Sequence, residues 1–138
     1  MNKVVLPVVV DTNFMTIPAQ FNVDIFAEAE RVLERRFEFV ILPSVADEIE
    51  AGTRESKGRG KRLVFRIARD LTRRCRAVET EKSILELPVD DQLLEYAIQV
   101  EGVLATNDRE LRSRAREQGV PVLFLRGRKQ LSVEGTLA

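Results

Sequence analysis

The 138-residue sequence contains no histidine, no tryptophan and a single cysteine, Cys75. Without histidine the chain cannot form a catalytic triad with an imidazole base, a haem site with a histidine ligand or a histidine-bound metal site. One cysteine cannot form an intramolecular disulfide or a cysteine-rich zinc site. Any metal ion bound here must therefore be held by oxygen ligands, which favours Mg²⁺ or Mn²⁺.

The sequence also lacks long apolar runs. None approaches the roughly 20 residues that a membrane-spanning helix needs. The first residues lead directly into an apolar stretch that contains Pro7, without the pattern of a signal peptide. The length fits one domain, and the 44% hydrophobic content is typical of a globular chain. We therefore expect a single cytoplasmic domain over residues 1–138, with no membrane partner.

Apolar runs alternate with amphipathic stretches along the chain. The clearest run is VVLPVVV at residues 4–10, and an unbroken run of this kind predicts a strand buried on both faces. Further strands are predicted at 37–42, 77–80, 103–105 and 120–125.

Helical spacing of apolar residues predicts helices at 25–36, 45–51, 63–74, 90–102 and 109–119. Strands that alternate with helices predict an α/β fold, with three layers (α/β/α) around a central, mainly parallel sheet of four to five strands. Irregular structure is expected at 14–23 and 53–62, and no element is predicted in the basic tail at 126–138.

Two of the predicted strands end in similar polar sequences. DTN follows the first strand, beginning at Asp11, and TND follows the strand 103–105, ending at Asp108. Glu48 and Asp91 lie in the first turns of predicted helices. Because strand C-termini and helix N-termini share one edge of a parallel sheet, the four carboxylates are expected to meet in one crevice. Carboxylates that share a site raise one another's pKa, and a divalent cation supplies the missing positive charge.

Each of these acids could also have a purely structural role. Asp11 and Asp108 could cap the turns or helices that follow them. Asp91 and its neighbour Asp90 could be first-turn acids that favour a helix N-terminus, and Glu48 could lie on a solvated helix face. The same pattern, an apolar strand followed by Asp, Thr and Asn, occurs twice in the chain. Structural roles alone do not account well for this repetition.

Basic residues are concentrated in the middle of the chain. Between Arg54 and Arg76 there are ten basic residues and two acidic ones, a net charge of +8, while the whole chain is neutral. A solvated helix face is the usual role of such a run, but this density favours the phosphate backbone of a nucleic acid as partner. The residues expected to contact it are Arg54, Lys57, Arg59, Lys61, Arg62 and Arg66.

Together these features resemble the PIN-domain ribonucleases, small α/β domains that hold Mg²⁺ or Mn²⁺ in an acidic pocket and cut single-stranded RNA. The matching segments are VVVDTN at 8–13, the helical Glu48, DDQLLEYA at 90–97 and TNDREL at 106–111. Within the family the chain is most similar to the branch of the eukaryotic pre-rRNA processing endonuclease of the small-subunit processome and its archaeal relatives. That similarity rests on DTNF followed by Gln20, on RIARD and on the closing VPVLFL. VapC-type toxins share the acids but are less similar in the flanking stretches.

The resemblance implies roles for particular residues. Thr106 would orient Asp108, and Asn13 would support Asp11. The metal ligands would be Asp11, Glu48, Asp91 and Asp108.

The resemblance further implies a metal-dependent endoribonuclease that cleaves single-stranded regions of precursor rRNA during maturation of the small ribosomal subunit. Its expected partners are RNA, foremost precursor rRNA, and ribosome-assembly proteins, and a homodimer is left open. Two alternatives remain. One is a VapC-type toxin ribonuclease that acts on tRNA or mRNA, and the other is a non-catalytic RNA-binding module of ribosome assembly.

Overall fold

A computed structural model describes residues 5–138, and its core is one six-stranded sheet. In chain order the strands are β1 (Leu6–Val10), β2 (Phe37–Ile41), β3 (Arg76–Ala77), β4 (Val103–Ala105), β5 (Val122–Arg126) and β6 (Gln130–Glu134). Their spatial order is β3-β2-β1-β4-β5-β6, and all neighbours pair in parallel except β5 and β6, which are antiparallel. The predicted α/β fold with a mainly parallel sheet is confirmed, with six strands instead of four or five. Val4, the first residue of the predicted first strand, lies outside the described residues.

Helices flank this sheet. They are α1 (Thr12–Met15), α2 (Ile17–Phe21), α3 (Ile25–Leu33), α4 (Pro43–Glu55), α5 (Arg59–Leu71), α6 (Lys82–Leu85), α7 (Val89–Gln99) and α8 (Arg109–Glu117). Local chemistry sets several of their starts; the Asp24 carboxylate, for example, accepts the backbone N–H groups of Phe26 and Ala27 at 3.0 and 3.1 Å and so caps α3. Within residues 5–138 no helix is long and apolar enough to span a membrane.

The two central strands are the most buried part of the sheet. Val8, Val9 and Val10 of β1 are fully buried, as is all of β4, and the register places Val10 beside Ala105. Each buried side chain of the size of valine contributes about 1.5–3 kcal/mol to the free energy of unfolding. Asp11 and Asp108 therefore follow the two most deeply buried strands of the sheet.

The structure corrects the prediction of a loop at 14–23. These residues include the second half of α1 and all of α2, with Pro18 in the first turn of α2. A proline in that position is compatible with a helix because its missing N–H would have no partner inside the helix. The proline therefore marks the start of a helix here, although the sequence pattern favoured a loop.

The predicted loop at 53–62 is also mostly helical. Helix α4 continues past Gly52 to Glu55, and α5 begins at Arg59, so that only residues 56–58 connect the two helices. The C-terminal tail at 126–138, in which no element was predicted, also contains regular structure. Its residues Gln130–Glu134 form β6, which pairs along the whole of β5.

Candidate active site

The first strand ends in a carboxylate that is held on both oxygens. Asp11 is only 7% exposed, and its backbone N–H donates to the carbonyl of Ala105 at 2.9 Å. Its Oδ1 accepts the N–H of Thr12 at 2.8 Å, as expected of a residue that caps α1. Its Oδ2 accepts the hydroxyl of Thr106 at 2.8 Å and the side-chain amide of Asn13 at 3.1 Å. The Asn13 side chain therefore lies in contact with Asp11, which it would support in the role that the family resemblance implies.

Thr106 connects the ends of the two central strands. Its fully buried hydroxyl donates to Asp11 and accepts the backbone N–H of Asp108 at 3.1 Å. The family resemblance implies that this hydroxyl orients Asp108. Its donated hydrogen bond goes instead to the carboxylate of Asp11, while the Asp108 carboxylate caps α8 by accepting the N–H of Leu111 at 2.9 Å. Asp108 thus has both of the roles considered for it, a helix cap and a cleft-lining acid.

Two asparagines extend this connection to a third strand. Asn13 Oδ1 accepts the backbone N–H of Asn107 at 3.0 Å, and Asn107 Oδ1 accepts the backbone N–H of Leu125 at 2.9 Å. The ends of β1, β4 and β5 are thereby joined by side-chain hydrogen bonds beyond the last ladder pairs. Such cross-strand bonds fix the spacing between the Asp11 and Asp108 backbones.

These strand ends open onto a cleft of about 550 Å³. Four carboxylates line it, those of Asp11, Glu48, Asp90 and Asp108. Glu48 projects from α4, and its Oε1 accepts the hydroxyl of Thr12 at 2.5 Å, which brings a helix-borne acid to the end of β1. The structure therefore gathers three of the four predicted acids, and the fourth carboxylate comes from the residue next to the predicted one.

The assignment of Asp91 to the acidic cluster is corrected by its position. Its carboxylate forms a hydrogen-bonded ion pair with Arg114 of α8 and lies with Leu87 and Ile98 at a separate surface depression. Successive residues of a helix are rotated by about 100°, so only one of two adjacent acids can face a given cleft. Asp90 is the one that faces it.

The pKa values of two carboxylates in the cleft, those of Asp11 and Asp90, are raised. Burial raises the pKa of Asp11 most, the hydrogen bonds from Thr106 and Thr12 oppose that shift, and the nearby charges of Asp90 and Glu48 add to it. The pKa of Asp90 is likewise raised, first by burial and then by the charge of Asp108. In both cases burial disfavours the charged carboxylate most, and neighbouring carboxylates add to that effect.

This donor set fits a divalent cation. All four carboxylates are hard oxygen ligands of the kind that Mg²⁺ and Mn²⁺ prefer, and the raised pKa values of Asp11 and Asp90 indicate that a cation would be stabilised there. Among residues 5–138, however, no three acids converge closely enough to form a complete binding cluster. A cation would therefore complete its coordination with water or with phosphate oxygens, as Mg²⁺ commonly does.

Of the six basic residues expected to contact nucleic acid, one is part of the cleft lining. Lys61, in the first turn of α5, lines the cleft itself beside Val64 and Phe65. Arg62 donates to the carbonyl of Ser56 at 3.1 Å, and so it stabilises the connection between α4 and α5.

Arg54 differs from the others because it already has an acidic partner. Its guanidinium lies 2.9 Å from the carboxylate of Glu50 in an exposed i,i+4 pair. The remaining three side chains, Lys57, Arg59 and Arg66, are exposed. Basic charge therefore surrounds the start of α5, next to the carboxylates.

Sequence reasoning missed two features of the cleft. The first is Asp90. Two adjacent acids at the start of α7 indicated that an acid lies there, but the sequence did not indicate which of the two faces the cleft. The second is the apolar wall of Val64 and Phe65. Both residues fall in the predicted helix 63–74, and no local pattern indicated that they face the acids.

Comparison with known proteins agrees with this fold. Residues 8–128 match the family model described as a PIN like domain. The chain is 31% identical over 131 residues to Ribonuclease VapC4 of Methanocaldococcus jannaschii, covering 93% of this chain and 96% of that protein. It is 32% identical over 133 residues to Ribonuclease VapC9 of Archaeoglobus fulgidus, covering 96% and 93%. Among solved structures, the PIN domain endonuclease Utp24 superposes with a TM-score of 0.72 and 28% identity, over 95% of this chain and 92% of that one.

Proposed function

Because the chain belongs to the PIN-like domain family, we propose that it is an endoribonuclease that depends on Mg²⁺ or Mn²⁺. The observation that carries this proposal is the cleft that Asp11, Glu48, Asp90 and Asp108 line together with Lys61 at the start of α5. The two VapC relatives named as ribonucleases, which match over nearly their whole length, support it.

The four carboxylates would hold the cation in this cleft. When bound, a divalent cation lowers the pKa of a water molecule and stabilises the leaving oxygen of a phosphodiester. The chain itself contributes orientation: Thr106 and Asn13 hold Asp11 in one rotamer, and the Thr12 hydroxyl directs Glu48 towards the end of β1. Because these partners are fixed before substrate arrives, little reorganisation is needed during the reaction.

For the substrate we propose single-stranded regions of precursor rRNA, cleaved during maturation of the small ribosomal subunit. The segments that support this choice are DTNF with Gln20, RIARD at 66–70 and the closing VPVLFL, through which the chain resembles the pre-rRNA processing branch of the family. The similarity in fold to the endonuclease Utp24 agrees with it. Cytoplasmic location, ribosome-assembly partners and a homodimer stay predictions.

Replacement of single acids tests the nuclease proposal. Asp11→Asn and Asp108→Asn each remove one carboxylate charge, so we expect cleavage of a 5′-labelled pool of random single-stranded RNA to fall by about a hundredfold or more in the presence of Mn²⁺. Wild-type cleavage should stop when EDTA removes the metal. Calorimetric titration with Mn²⁺ gives an independent readout, and wild-type chain without any Mn²⁺ binding would favour the non-catalytic RNA-binding module instead. Undiminished cleavage by either variant would contradict the proposal.

A second candidate function is a toxin ribonuclease of the VapC type that acts on tRNA or mRNA. The full-length similarity to two ribonucleases named VapC favours it. The two candidate functions are distinguished by sequencing new 5′-phosphate RNA ends in cells that express the wild-type chain or the Asp11→Asn variant. Ends confined to precursor rRNA support the maturation role, whereas ends in tRNA or mRNA together with arrested growth support the toxin role.

A further inference from the structure

The first turns of α5 present a lysine and two apolar side chains to the carboxylate cleft. Lys61, Val64 and Phe65 are three and four residues apart, so they share one face of the helix, and all three line the cleft. This wall differs from the opposite one, which is built from the strand ends and their acids. Its chemistry suits a ligand that is anionic at one end and apolar at the other.

A close helix contact fixes the position of this wall. Gly52 of α4 is buried, and a Cβ atom at this residue would lie 2.4 Å from the ring of Phe65. The aromatic ring therefore rests directly on the α4 backbone, which only glycine allows. One turn before Gly52 on α4 is Glu48, and one turn before Phe65 on α5 is Lys61. The Gly52–Phe65 contact thus holds the lysine at a set position relative to the acids.

The charge of Lys61 has no partner inside the part of the chain that the structure describes. Among residues 5–138, seven ion pairs are formed, and Lys61 belongs to none of them, although it lines the same cleft as four carboxylates. Two other basic residues of this region, Arg54 and Arg69, are already engaged with Glu50. The ammonium group of Lys61 is therefore free to bind an anion that enters the cleft.

We propose that Lys61 binds a non-bridging oxygen of the phosphate that is cut, while Val64 and Phe65 form an apolar wall for the adjoining nucleoside. This inference rests on the proposed nuclease function. A phosphodiester that approaches four carboxylates is repelled by them, and a positive charge on the facing wall offsets that repulsion. Lysine suits this task because its ammonium is a compact point charge on a flexible stem. The other basic residues would bind phosphates outside the cleft and position the strand.

The test compares Lys61→Met, Lys61→Arg and the matched control Lys82→Met. Lys82 is an exposed lysine of α6 that does not line the cleft, so its replacement removes the same charge and side chain elsewhere. Each protein is assayed with Mn²⁺ on the random single-stranded RNA pool under single-turnover conditions. The plateau rate at saturating protein and the half-saturating concentration are measured separately, as are RNA binding in EDTA and the thermal unfolding midpoint.

We expect Lys61→Met to lower the plateau rate by about tenfold to a hundredfold, because the contact is made to the reacting group. Lys61→Arg should recover most of that loss, Lys82→Met should match the wild type, and all three should unfold at the wild-type temperature. A plateau rate for Lys61→Met within twofold of the wild type would overturn the inference. An arginine variant as slow as the methionine variant would also overturn it. So would tighter Mn²⁺ binding by Lys61→Met with unchanged RNA binding, because the lysine would then serve only to neutralise the acids.

Failure of this inference differs from failure of the proposed function. If wild-type chain cleaves RNA and Asp108→Asn does not, while Lys61→Met cleaves normally, only the assignment of Lys61 is wrong. If wild-type chain cleaves no RNA with either metal, the nuclease proposal itself fails and the assignment of Lys61 fails with it.

Discussion

Asp90 and Asp91 are adjacent in the chain but lie in different surroundings. Asp90 faces Asp11 and Asp108 across the cleft, whereas Asp91 is paired with Arg114 on the flank of α7. The sequence pattern could not distinguish them because both fall in the first turn of the same helix. The rotation of α7 is set by its packing, and the buried residue Gln92 takes part in it. The Gln92 amide donates to the Leu87 carbonyl at 2.8 Å and accepts the Ser44 hydroxyl at 2.7 Å.

This difference predicts opposite outcomes for two isosteric replacements. Asp90→Asn should reduce RNA cleavage by about a hundredfold, because it removes a carboxylate from the cleft. Asp91→Asn should leave the cleavage rate within a fewfold of the wild type and cost about 0.2–1 kcal/mol of stability, since the pair with Arg114 is partly exposed. Single-turnover cleavage and urea unfolding measure the two quantities. Loss of activity in Asp91→Asn alone would show that α7 is rotated differently in the active protein.

Thr106 gives a second prediction at the level of single residues. Thr106→Val removes a buried hydroxyl that donates to Asp11 and accepts the N–H of Asp108, so both groups lose a partner. An unsatisfied buried group costs about 1–3 kcal/mol, and we expect a loss of stability of that size together with slower cleavage. Thr106→Ser keeps the hydroxyl and should retain most of the stability and activity. If the valine variant is as stable and active as the serine variant, the hydroxyl has no such role.

At the level of secondary-structure elements, the packing of α4 against α5 depends on one glycine. Gly52 lies under the ring of Phe65, whereas Gly60, in the first turn of α5, has open space around it. The two glycines therefore serve as a matched pair. Gly52→Ala should destabilise the protein by about 1–3 kcal/mol through overpacking and slow cleavage by displacing the wall that carries Lys61. Gly60→Ala should leave cleavage unchanged and stabilise the protein by up to about 1 kcal/mol, because alanine favours a helix over glycine.

Urea unfolding and single-turnover cleavage of the two alanine variants test this prediction. Equal effects of the two alanine substitutions would mean that α5 tilts away from α4 at little cost. The position of Lys61 would then not depend on the contact between Gly52 and Phe65.

Secondary-structure elements could be predicted from the sequence where one physical signal dominated. The buried strand at 6–10 and the Asp that ends it were evident from the sequence, because a short apolar run rich in β-branched residues favours a strand over a helix. The helices in 12–21 were not, since their apolar residues Phe14, Met15 and Ile17 are buried without helical period and Pro18 suggested a break. Strand β6 was missed because only Leu131 of its five residues is fully buried. The Gly52–Phe65 contact is a tertiary effect that no local pattern reports.

At the level of the whole molecule, charge is separated into two neighbouring surfaces. The neutral chain has a segment of net charge +8 between Arg54 and Arg76, and the carboxylate cleft lies beside the first turns of α5. Although the net charge of the chain is zero, one surface attracts phosphates and the neighbouring surface attracts cations. For the RNA-binding role proposed above, this arrangement predicts an affinity that depends on salt even though the protein has no net charge.

Replacement of exposed arginines should change that salt dependence by a defined amount. Arg59 and Arg66 are exposed and belong to none of the ion pairs among residues 5–138. If each contacts one phosphate, glutamine at that position should lower the slope of log affinity against log salt by about 0.7 for single-stranded RNA. Fluorescence anisotropy in EDTA, where RNA is not cut, measures the slope. The double variant should lose affinity without losing thermal stability, and an unchanged slope would place the RNA elsewhere.

The side-chain bonds that join β1, β4 and β5 have a consequence for hydrogen exchange. The amide protons of Asn107, Asp108 and Leu125 are held by the side chains of Asn13, Thr106 and Asn107. These protons should exchange with deuterium only when the centre of the sheet opens, which is the slowest class of opening in a folded domain. Their protection would report the integrity of the acidic edge without any substrate or metal, and it should be lost selectively in Thr106→Val at the amide of Asp108.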